Sequence, residues 1–91
     1  MIFAKQLRER VRRGEITLSV RIWLRPKVKV GGIYALPPGH VRVTDIREIP
    51  FDAITPELAR RSGFAGVVDL LKTAKHGPGE RVFVVEFVYE A

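Results

Sequence analysis

Residues 17–24 read Thr-Leu-Ser-Val-Arg-Ile-Trp-Leu and alternate with a period of two, the spacing of a half-buried strand. The pattern assigns Leu18, Val20, Ile22 and Leu24 to a core side and Thr17, Ser19, Arg21 and Trp23 to the other. That second row is the informative one. Hydroxyls can read the polar edge of a ligand, a guanidinium binds phosphate or carboxylate through paired hydrogen bonds, and an indole can stack on a base. A plainer reading has Trp23 packed under a loop, with Thr17 and Ser19 present only because they form strands well. Pattern alone leaves both open.

Upstream, residues 1–4 (Met-Ile-Phe-Ala) read as a short opening strand and residues 5–13 as a helix. Ala4, Leu7 and Val11 fall on one stripe, and Gly14 stands where a helix stops. A helix this short is held only by packing of its stripe. Downstream, Pro26 ends the strand, Gly31-Gly32 opens another at residues 33–36, and Pro37-Pro38-Gly39 closes it. Residues 40–49 read as a longer strand. Its apolar positions shift phase from Val41 and Val43 to Ile46, which predicts a bulge near Thr44-Asp45.

Thr55-Pro56-Glu57 is a helix start, with an N-cap hydroxyl, a proline in first position and then an acid. Gly63 should end that helix. A second helix over 66–75 is expected to bury Val67, Val68, Leu70, Leu71 and Ala74 and to stop at His76-Gly77-Pro78-Gly79. The last strand, 82–89, is apolar on both faces and so predicts a central position. The order β-α-β-β-β-(α-α)-β with short turns favours an α+β domain, built on an antiparallel, partly closed barrel with helices plugging its ends.

The 91 residues suit one domain, and their 46% apolar content is too high for a disordered basic tail. The lack of cysteine removes disulfides, a thiol nucleophile and cysteine-ligated zinc. Apolar runs fall far short of the roughly 20 residues that span a bilayer, and no leader pattern is visible, so the expected location is the cytoplasm. Arginine outnumbers lysine 11 to 5, there is no asparagine, and Gln6 is the one glutamine, a thermophile-like composition. The net charge of +6 is unevenly placed. Residues 1–29 carry nine bases and two acids, hence +7, and the remainder carries −1. A field of that sign draws polyanions toward one region.

Metal and cofactor chemistry finds little support. His40 and His76 are the only histidines, and no carboxylates accompany them at ligand spacing, so no metal is expected. His76 reads as a cation at a helix end. No phosphate-cradling loop, dinucleotide fingerprint or Ser/His/Asp set occurs, and no cofactor is implied.

Phe3-Ala4-Lys5, the helix, Gly14-Glu15-Ile16-Thr17-Leu18-Ser19-Val20-Arg21 and Val30-Gly31-Gly32 together resemble the opening of the ASCH domain (activating-signal-cointegrator homology), a relative of the PUA RNA-binding barrels. Residues 54–64, from Ile54-Thr55-Pro56-Glu57 to Gly63-Phe64, look like that family's helical insert, and Val84-Val85-Glu86-Phe87 like its last strand. The resemblance runs nearly the whole chain in the right order. It implies a PUA-like barrel of about five to six strands, with an N-terminal helix, a two-helix insert before the last strand, and a cleft between barrel and insert. It also implies RNA or nucleotide-like ligands. Lys5, Gly14, Thr17, Ser19, Arg21 and Trp23 are then the ligand-binding candidates, and Arg8, Arg12, Arg13 and Arg25 the contacts to nucleic-acid backbone.

One branch of the family hydrolyses N4-acetylcytidine with a lysine base, a threonine nucleophile and an assisting glutamate. Those positions correspond here to Ile16, Ser19 and a site near Ser62. A hydroxyl needs an adjacent base to attack, and losing acid–base help costs about 10²–10⁴-fold in rate. Enzymatic use would have to recruit Ser19 with Lys5 or Glu86. The expectation is therefore a binding module for RNA or a nucleotide-like ligand. A nucleoside-processing enzyme with an altered catalytic set and a domain that docks an acidic protein are the alternatives.

Overall fold

The computed structural model describes residues 1–74 and 79–91. The turn predicted at residues 76–78, and with it the helix-end role of His76, lies outside the described residues. Helix α1 (Lys5–Arg12) is followed by strands β1 (Leu18–Trp23), β2 (Ile33–Leu36) and β3 (Gly39–Ile49). A single 3₁₀ turn at Phe51–Ala53 leads into helices α2 (Pro56–Arg61) and α3 (Val67–Ala74), and β4 (Arg81–Glu90) closes the order. The strands form one antiparallel sheet in the order β1-β4-β3-β2, curled into a half-barrel.

Why β4 lies in the middle follows from its side chains. Val82 and Val84 project to one face, and Phe83, Val85 and Phe87 to the other; all five are buried. A strand with apolar residues on both sides is stable only where both sides are covered. On the first face, Val82 and Val84 join Leu18, Val20 and Ile22 of β1 beneath Ala59 of α2 and Leu70 and Ala74 of α3. On the second, α1 lays Leu7 and Val11 against Leu36, Val41 and Phe87. Trp23, Val28, Val43, Phe83 and Val85 continue that layer.

Local signals place the elements. Thr55 Oγ1 accepts from Leu58 N at 3.1 Å, the expected N-cap, which satisfies one of the orphan donors of the first turn. Gly14 leaves α1 at φ +76°. Gly63 leaves α2 at φ +99°, where a Cβ would stand 2.7 Å from Ile16 Cδ1 and 2.8 Å from Leu7 Cδ2. Both dihedral and space demand glycine there. Register shifts between Val43 and Asp45, so the bulge keeps Ile46 beside Val85 on the same face as Val41 and Val43.

The structure corrects several expectations. Residues 1–4 are not a strand; Phe3 instead packs edge-on against Phe87, with ring centroids 5.2 Å apart. The sheet therefore has four strands where five to six were expected. Leu24, assigned to the core, is 58% exposed, because β1 ends at Trp23 and the chain turns away. Val68, assigned to the buried face of α3, is 69% exposed; Leu70 and Ala74 alone are fully covered there. Five apolar residues in eight are more than one helical stripe can hide against a sheet.

Candidate functional site

Strand β1 is an edge strand, paired on one side only, to β4. Its free edge is not left open. Val20 N donates to Ser62 Oγ at 3.1 Å, so the residue that caps α2 also covers the strand's spare donor. Ser62 is 2% exposed. Ser62, the residue near which the resemblance would put a glutamate, is thus a structural hydroxyl, occupied by backbone. Ile16, where the resemblance would put a lysine, is buried among Phe3, Leu7 and Phe87.

The side chains of Ser19, Arg21 and Trp23 project from the face of β1 opposite to Leu18, Val20 and Ile22, and all three line one cavity of about 480 Å³ that Val20 and, on α3, Thr73 and Ala74 also border. That volume lies within the range of about 300–1,000 Å³ usual for small-molecule sites. Phe3, Leu7, Val28 and Phe64 provide apolar walls, and Lys27 and Thr73 add polar groups. Trp23 is 4% exposed and packs against Phe83, Val28 and Val43, with the Phe83 ring centroid at 6.0 Å. It is a wall of the cavity rather than an exposed platform, which is the packed-under-a-loop arrangement.

Arg21 has the most unusual surroundings. Its Nε donates to Ser19 Oγ at 2.8 Å, and its guanidinium carbon lies 5.3 Å from the centroid of the Phe3 ring, a cation–π contact. Among the described residues it forms no ion pair, and no acidic side chain lines the cavity. Burial pulls its pKa down from the ordinary guanidinium range to about 10. At neutral pH it stays charged, so the fold holds a half-buried cation that has no counter-ion among the described residues. The α-amino group of Met1, also beside the cavity, has its pKa lowered by burial and then by the Arg21 charge.

The other sequence candidates scatter. Lys5, Gly14 and Thr17 do not line the cavity; Thr17 instead accepts from Phe87 N through its carbonyl. Glu86 lies on the α2/α3 face of β4, 3.0 Å from Arg47, away from Ser19. Arg12 donates to the Pro37 carbonyl at 2.8 Å and pairs with Glu9. Arg13 is shared between Glu9 and Glu15. Arg8 donates to the Phe3 carbonyl at 3.2 Å, holding the segment that roofs the cavity. Arg25 is exposed and makes no ion pair among the described residues.

Sequence reasoning missed Phe3, Lys27, Val28 and Phe64 as cavity residues. Phe3 and Phe64 carried a signal, since both stand in the quoted motifs. Lys27 and Val28 sit in the loop after Pro26, where no period exists to assign a direction. Among the described residues no three His, Asp or Glu side chains converge as a metal site would require. A second hollow of about 520 Å³ is lined by Ile22, Phe51, Leu71, Gly79 and Glu80, with no basic side chain among the described residues. Among the described residues no helix is long and apolar enough to cross a membrane. No family model, no curated protein and no solved structure matches this chain.

Proposed function

We propose that the chain is a small binding module of the ASCH type, PUA-like in fold, which holds RNA or a nucleotide-like ligand in the Ser19/Arg21/Trp23 cavity. One observation carries this reading: a half-buried arginine faces a cavity that, among the described residues, holds no acid and gives it no anionic partner. A buried charge is retained at a cost unless something pairs with it. An anionic ligand with a flat apolar part suits both the guanidinium and the aromatic walls. Lys27 and Arg25, close in sequence to Trp23 and free of ion pairs among the described residues, add the long-range attraction. Arg8, Arg12 and Arg13 have partners within the chain and contribute less.

The reading makes no use of Ser19 as a nucleophile. Its Oγ accepts from the Arg21 guanidinium, and among the described residues no His, Asp or Glu lines the cavity to take its proton. The test is binding of short RNA and of mononucleotides at low and high salt, comparing wild type with Arg21→Ala. Expected are binding at low salt, weakening as salt rises for RNA, and at least tenfold weaker binding in the variant. Absence of any binding by the folded wild type at low salt would sink the proposal.

A further inference from the structure

We infer that the cavity takes its ligand by a terminal phosphomonoester held between Arg21, Ser19 and Lys27, the end group of a free mononucleotide or of an RNA chain. This rests on the nucleotide-like reading of the site and narrows it to one chemical group.

The hydrogen-bond inventory of Arg21 is the starting point. A guanidinium carries five N–H groups, and only Nε–H is spent, on Ser19 Oγ. That bond, with one face of the group over Phe3, fixes the plane in which the two terminal nitrogens lie. Neither meets an acceptor among the described residues. No buried side-chain nitrogen or oxygen among them is sealed off without a partner, so these nitrogens reach the space of the cavity. Ser19 accepts through Oγ and keeps its own proton to donate. Three donors from two residues of one strand therefore face the same space, and Lys27 lines it too.

Charge and room then select among anions. A phosphomonoester carries about −1.5 to −2 at pH 7, which matches two cations with no acid nearby. A phosphodiester or a carboxylate carries −1. An internal phosphodiester would also have to bring a nucleoside on each side of it into a cavity of about 480 Å³ roofed by Phe3 and Ala4. A chain end or a free nucleotide brings one. A neutral base set against Arg21 would leave the terminal nitrogens without an anion.

Trp23 is the sole tryptophan and lines the cavity, so its fluorescence reports occupancy directly. The experiment titrates the wild-type protein, at fixed ionic strength, with the four common ribonucleosides, their 5′- and 3′-monophosphates, and a short RNA before and after phosphatase treatment. At least one monophosphate should bind tenfold or more tighter than its nucleoside. Lys27→Ala should weaken the monophosphate and leave the nucleoside unchanged. End-phosphorylated RNA that competes with the mononucleotide and loses that ability on phosphatase treatment identifies a chain end as the source. Mononucleotide binding without RNA competition identifies the free nucleotide, and either result supports the inference. Nucleosides binding as tightly as monophosphates, or RNA competing equally with and without its end phosphate, would overturn it while leaving the nucleotide reading in place. If no ligand binds, both fall.

Discussion

The two faces of β1 are both buried, yet they do different things with burial. Leu18, Val20 and Ile22 disappear under α2 and α3 in a layer that is apolar throughout. One residue along at every step, Ser19, Arg21 and Trp23 turn into a space that is covered but not filled, and which Val20, Thr73 and Ala74 border at its edge. The first face gains from every methylene it hides. The second half-buries a cation with no acid beside it among the described residues, which lowers stability at neutral pH. A small domain has little stability to spare, and an expense confined to one face of one strand is what makes that face the proposed binding site.

The contrast can be broken first on the apolar side. Leu70 of α3 is completely buried against the sheet, and Leu70→Ala should cost about 2–5 kcal/mol in denaturant unfolding. Ligand affinity of the molecules that remain folded should be unchanged, because Leu70 does not line the cavity. A loss of affinity equal to the loss of stability would mean the two faces are not separable.

The next effect has the opposite sign. Arg21→Met keeps the length of the side chain and removes the desolvated charge. It should raise unfolding free energy by about 1–3 kcal/mol without ligand and abolish nucleotide binding. The pH dependence carries the same sign. With its folded pKa lowered to about 10, Arg21 penalises the fold at all lower pH, and the penalty is relieved as pH rises through that value. Phosphomonoester affinity should fall on the alkaline side near pH 10, as the guanidinium loses its proton. It should also fall on the acid side, below about pH 6, as the ligand gains one. Affinity that is flat from pH 5 to 10 would contradict the pairing.

A smaller effect sharpens the boundary. Thr55→Ala removes the hydrogen bond to Leu58 N at the start of α2 and should cost about 1 kcal/mol by thermal unfolding, with binding intact. A loss of binding there would mean that α2 reaches the ligand, contrary to the separation of faces.

Much of this architecture was legible in the residues. The Thr55-Pro56-Glu57 start, the phase shift at Val43 and Ile46 and the two-sided apolarity of β4 are local signals, each tied to one backbone geometry, and each appears where it was expected. What periodicity could not convey was how far each face would be covered. Alternation assigned Ser19, Arg21 and Trp23 away from one core; it carried no information that a second layer, made by α1 and Phe3, lay on that side. The opening residues misled for a related reason. Met-Ile-Phe-Ala has strand composition, but its apolar side chains are used to roof a cavity, and tertiary packing set their conformation. The site followed the same rule: its strand residues were readable from spacing, and its loop residues Lys27 and Val28 were not.

The most direct test of the central claim is a ¹H–¹⁵N NMR titration with nucleoside monophosphates, reading the side-chain signals of Arg21 Nε and Trp23 Nε1 beside the backbone amides. The account predicts saturable shifts at Arg21, Trp23 and Val28, with Ala59, Leu70 and Leu71 on the other face unmoved. Shifts centred on the Ile22/Phe51/Leu71 hollow, or on the outer arginines of α1 with Arg21 and Trp23 silent, would contradict it.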